Sequence, residues 1–84
     1  MKLHDFLSGK SLSVDQFAEQ LGGVSASGLR KWLTGERQPD ADVVARIAAF
    51  TGGAVTADDM HQTRLAWLRA NRPEKFHAGT EAAA

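Results

Sequence analysis

The sequence predicts an all-α fold, a compact bundle of about five short helices. Three observations predict it. Apolar residues recur at three- and four-residue spacing with no sustained strand-like alternation, and glycines punctuate these runs. Two of the runs also open with a Ser or Thr placed three residues ahead of a Gln or Asp, the sequence mark of a reciprocal helix cap. Eighty-four residues leave room for one hydrophobic core. A composition of 43 % hydrophobic and 24 % charged residues excludes wholesale disorder and a coiled coil. With no cysteine there is no disulfide framework, no thiolate-bound zinc and no thiol nucleophile.

The first helix carries Leu3, Phe6 and Leu7 on one face and is expected to close at a left-handed Gly9. Ser13 starts the second. Its hydroxyl can accept from the backbone of Gln16, whose side chain reaches back to Ser13. Val14, Phe17, Ala18 and Leu21 then line one face before Gly22 and Gly23 force a turn. Ser25 is the expected cap of the third helix, with Leu29, Trp32 and Leu33 inward and Gly35 as terminator. After Pro39, Asp40 is expected to cap a fourth helix bearing Val43, Val44, Ile47, Ala48 and Phe50, ended by Gly52 and Gly53. Thr56 with Asp59 opens a fifth, which holds Met60, Leu65, Trp67 and Leu68 and stops before Pro73. Residues 1–72 thus form the folded domain. Residues 73–84 have too few apolar groups to pack and are expected to be a flexible tail.

The third helix differs chemically from the others. At 100° per residue, Ser27, Arg30, Lys31 and Thr34 share one stripe, opposite Leu29, Trp32 and Leu33. One face packs, while the other is polar and basic and has no carboxylate. Hydroxyls, an arginine suited to a guanine edge and a lysine suited to phosphate make the inventory of a helix that lies in the DNA major groove. Charges on short helices are often no more than a solvated face. The surroundings favour the sharper reading, because a capped helix, a tight glycine turn and a second amphipathic helix together match a helix-turn-helix. Gly28, inside the third helix, serves either close packing against the second helix or close approach of DNA, and its direction beside the apolar face favours packing.

The run Phe17-Ala18-Glu19-Gln20-Leu21-Gly22, with Val24-Ser25, Leu29, Trp32, Gly35, Pro39, Ile47 and Thr51-Gly52-Gly53-Ala54-Val55, resembles the lambda-repressor and Cro type of helix-turn-helix regulators, in particular their small single-domain phage and bacterial members. The match covers roughly Leu12 to Met60. One departure is the second glycine, Gly23, where that family usually has a single glycine before the Val-Ser pair; it lengthens the turn. The resemblance implies that Ser25, Ala26, Ser27, Arg30 and Lys31 face double-stranded DNA, with Thr34 and Arg37 nearer its backbone. Gln16 is similar to the second-helix residue that touches phosphate, a role that competes with its place in the cap. The function implied is a sequence-specific transcriptional regulator, a repressor binding an inverted-repeat operator as a homodimer.

A homodimer is expected on energetic grounds too, since one short helix reads only a few base pairs and each correct bidentate contact gives about 1–3 kcal/mol of discrimination. Residues 56–72 are the candidate dimer helix. Leu65, Trp67 and Leu68 spread over more than one of its sides, so part of them is expected to meet a second copy, although Trp67 serves equally as a cover for the domain edge. The alternative function is an antitoxin that uses the same domain to neutralise a protein partner. His4, His61 and His77 lack metal-site spacing, and no nucleophile elbow, phosphate loop or carboxylate pair appears, so no enzyme, metal or cofactor is expected. No signal-peptide pattern opens the sequence and no run approaches a membrane span, which gives a cytoplasmic location as the expectation.

Ten basic residues balance ten acidic ones, which argues against clinging to polyanions through bulk charge. The balance is uneven along the chain. Residues 23–37 carry +2, residues 40–59 carry −3 and residues 60–75 carry +3, so neutrality averages over a polar molecule and leaves nucleic acid open as a partner.

Overall fold

Five helices follow one another in a computed structural model that describes residues 1–75. They are α1 (Leu3–Gly9), α2 (Val14–Leu21), α3 (Ala26–Thr34), α4 (Ala41–Phe50) and α5 (Ala57–Asn71). The described residues include no strand. A further helical turn covers 73–75, where the sequence reading places the start of a flexible tail; the rest of that tail, 76–84, lies outside the described residues.

Local chemistry starts the helices largely as the sequence predicts. Ser13 Oγ accepts from Gln16 N at 3.1 Å while Gln16 Oε1 accepts from Ser13 N at 2.9 Å. Thr56 and Asp59 repeat the arrangement at α5. Each pair satisfies two backbone donors that the first turn of a helix leaves without partners. Asp59 Oδ2 also accepts from the Met1 ammonium at 2.8 Å. That bond, followed by those from the Thr56 backbone and hydroxyl, lowers its pKa to about 2.

Three local expectations are corrected. Gly9 does not close α1 in the left-handed region; the positive φ falls instead on Ser11, at 53°. Asp40 occupies the N-cap position of α4, but its side chain makes no capping hydrogen bond. Phe50 is not part of the buried face of α4. It is 42 % exposed and meets Phe17 edge-on, with ring centroids 5.3 Å apart.

The core gathers one side of every helix. Phe17, Leu29 and Ile47 are fully buried, joined by Leu3, Leu7, Ala18, Leu21 and Met60. Val55 is equally buried although it lies in a loop, where helical periodicity gives no signal. Its place is fixed by Thr51, the one polar residue buried among the described residues. The Thr51 hydroxyl donates to Ala48 O at 3.2 Å and accepts from Val55 N at 3.1 Å, so the turn through Gly52 and Gly53 is tied from inside. Within this bundle α3 packs against α2 on one side and α5 on the other, while α4 packs against α2 and α5. The third helix is therefore supported along its apolar side and open along the rest.

Candidate nucleic-acid interface

Ser25 opens α3 by accepting from Gly28 N at 3.0 Å, and Leu29 anchors the helix in the core with no exposed surface. Trp32 and Leu33 are half-buried against the same core. Their burial leaves Ser27, Arg30 and Thr34 exposed and Lys31 half-buried on the other side. Every described carboxylate lies off α3 itself, the nearest in sequence being Glu36 beyond its end. Arg30 reaches across to α2, where Asp15 Oδ2 is 3.7 Å from its guanidinium. Both side chains are more than half exposed, so this pair is a loose tether rather than a lock.

Two other arginines fix α3 in space, and both use backbone carbonyls. Arg46 of α4 donates through Nη2 to Gly22 O at 2.7 Å and to Leu21 O. It thereby satisfies carbonyls at the C-terminus of α2 and ties the lengthened turn, in which Gly22 and Gly23 have φ of 75° and 71°. At the far end, Arg64 of α5 donates through Nη1 to Gly35 O at 2.9 Å and to Glu36 O. Its guanidinium also lies 5.3 Å from the centre of the Trp67 ring. Gly35 itself has a φ of 89°, and a Cβ there would collide with the Thr63 carbonyl and lie 2.9 Å from Trp67 Cβ. Only glycine fits.

A short helix is thus presented with its polar basic face outward, behind a second capped helix and a glycine turn. A family model described as Helix-turn-helix matches residues 9–56, just over half of the chain. This chain belongs to that helix-turn-helix family. The family is one of DNA-binding transcription regulators rather than enzymes. No curated protein and no solved structure matches the chain significantly.

In helix-turn-helix terms α2 and α3 are the paired helices, with α3 in the recognition position. Ser25, Ser27, Arg30, Thr34 and Arg37 are all exposed. Ala26 is half-buried and packs against the core, so its share of the outer surface is small. The hydroxyl of Thr34 is occupied, donating to Lys31 O at 3.1 Å and accepting from Glu36 N at 3.3 Å. The competition over Gln16 disappears: its capping role uses Oε1 alone, which leaves the amide nitrogen on an exposed side chain to donate outward. Gly28 is corrected. A Cβ at this position would meet Ser25 Oγ at 3.1 Å and Trp32 Cζ2 at 4.0 Å, both on or beside its own helix, so the glycine spares the cap rather than admitting α2.

Arg46 and Arg64 were not marked as helix-positioning residues by the sequence. In the bare sequence Arg46 looks like a solvated charge and Arg64 belongs to a basic flank with Arg69, Arg72 and Lys75 that either touches DNA or stabilises the helix C-terminus, and their carbonyl partners lie 24 to 29 residues away. Leu65, Trp67 and Leu68 are half-buried within the single chain. Trp67 is engaged there, against Gly35 and under Arg64. No group of described residues has the composition to hold a metal ion, and no described helix is long and apolar enough to cross a membrane.

Proposed function

We propose that this helix-turn-helix protein is a sequence-specific transcriptional repressor that places α3 in the major groove of an inverted-repeat operator. The carrying observation is the outer face of α3, where Ser27, Arg30 and Lys31 stand free of any carboxylate of their own helix while Arg46 holds the turn before that helix and Arg64 the residues just after it. Arg30 reads a base edge, Lys31 meets phosphate, and Gln16 and Arg37 bracket the backbone on either side. On DNA, Asp15 gives up Arg30, a small loss for an exposed pair.

Two copies act together, because one such helix specifies too few base pairs for useful selectivity, and their half-sites lie about one helical turn or a multiple of it apart. The dimer contact falls on the α5 side, with Leu65 as contributor and Trp67 held within each copy.

Selection of bound duplexes from a random pool, followed by anisotropy titrations on a base-substituted series, tests this reading. Arg30→Ala is expected to relax preference at one operator position, whereas Lys31→Ala weakens binding to all sequences and reduces the salt slope by about one unit. Equal losses on every sequence for Arg30→Ala would remove its base-reading role. In sedimentation velocity, Leu65→Glu is expected to yield monomers; an unchanged dimer rejects the α5 contact.

A further inference from the structure

A cleft of about 250 Å³ opens where the end of α3 meets the last turns of α5. Five cations line it, Lys31, Arg37, Arg64, Arg72 and Lys75, against a single carboxylate, Glu36. In a chain whose formal charge is zero, this is a concentrated positive site. Arg64 is committed to the carbonyls of Gly35 and Glu36, but the side chains of Lys31, Arg37, Arg72 and Lys75 have no hydrogen-bond or ion-pair partner among the described residues. The commitment of Arg64 matters here. A helix C-terminus normally repels anions, and here a guanidinium sits on the two carbonyls that directly follow α3, those of Gly35 and Glu36, and adds positive charge at that end. Trp67 and Leu68 form an apolar lining, and a cleft of this volume has room for a phosphodiester group.

We infer that this cleft is a phosphate-binding site that takes a DNA backbone phosphate outside the bases read by α3, so that the end of α5 extends the footprint of each copy. The inference rests on the DNA-binding reading above. What selects a phosphate of the same duplex is Lys31, which belongs both to the outer face of α3 and to the cleft wall. A backbone strand leaving that face passes the cleft mouth. Arg72 and Lys75 then supply donors that α3 lacks, with the fork of Arg72 matched to two phosphate oxygens.

The test compares the wild-type protein with Arg72→Gln/Lys75→Gln, both exposed positions, on the selected operator with long flanks and on the same operator trimmed at its outermost read base pair. Wild type is expected to bind the trimmed duplex about tenfold more weakly at moderate salt, with a salt slope smaller by about one unit per phosphate lost. The double variant should show the same loss on the long duplex and none beyond wild type on the trimmed one. Equal affinity of variant and wild type on the long duplex overturns the inference while leaving DNA binding by Arg30 and Lys31 intact. If wild type binds no duplex at all, the DNA reading falls and this one with it. A titration with inorganic phosphate, followed by backbone amide shifts of residues 68–72, 74 and 75, separates the remaining source: saturable shifts abolished in the variant, with no effect of flank length, reassign the cleft to a free anion and overturn the DNA assignment.

Discussion

At its N-terminal end α3 follows two glycines with open surroundings, whereas at its C-terminal end Gly35 is enclosed by α5. A Cβ on Gly22 would meet nothing within 4 Å, and one on Gly23 would touch only Arg46 Nη1 at 3.8 Å. A Cβ on Gly35 would strike the Thr63 carbonyl and Trp67. One end is therefore positioned by polar contacts to an open loop, and the other by steric contact with α5, reinforced by Arg64. Orientation of the recognition helix is set by hydrogen bonds at the first end and by shape at the second.

The sharpest way to break this contrast is to place asparagine, which tolerates positive φ, at each end in turn. Gly35→Asn is expected to cost about 2–4 kcal/mol in urea melts, since the collision remains once backbone strain is relieved. Gly23→Asn should cost about 1 kcal/mol or less. Equal losses would show that φ alone, and not enclosure, distinguishes the two glycines. An effect smaller than that at Gly35 is expected from Arg46→Ala, about 1–2 kcal/mol, because the carbonyls of Leu21 and Gly22 are partly open to water. Operator affinity should fall by more than that stability loss explains, as the turn releases α3, and Arg46→Lys should restore little of it, because an ammonium lacks the guanidinium fork. Full rescue by lysine would reduce Arg46 to a simple charge. The smallest effect belongs to Gly28→Ala. Helix propensity gains about 1 kcal/mol, and crowding of the Ser25 cap at 3.1 Å takes back a similar amount, so the melt should move by less than about 0.5 kcal/mol.

How much of this was legible in the sequence depended on distance along the chain. The caps at Ser13, Ser25 and Thr56 could be read because donor and acceptor are three residues apart and the helix itself brings them together. The outer face of α3 could be read for the same reason, through a period that needs no tertiary information. Val55 could not, because a loop residue has no periodic partner and its burial follows from the Thr51 hydroxyl. Arg46, Arg64 and the cleft shared by Lys31 and Arg72 depend on how helices cross, which local pattern does not encode. Gly9 and Asp40 show the converse: residue types with strong local preferences stood in the right places, yet the backbone closed α1 and opened α4 without them.

Both arginines that hold α3 grip main-chain oxygens, and none of the side chains on its outer face takes part. Ser27, Arg30 and Lys31 can accordingly be exchanged without touching the contacts that aim the helix. If α3 reads bases as proposed, its outer face is interchangeable on a fixed mount, and a few substitutions there are expected to change operator preference while stability stays near its starting value. On the proposed reading, sequence preference in this chain would be redesigned at Ser27 and Arg30, with Lys31 kept for its phosphate.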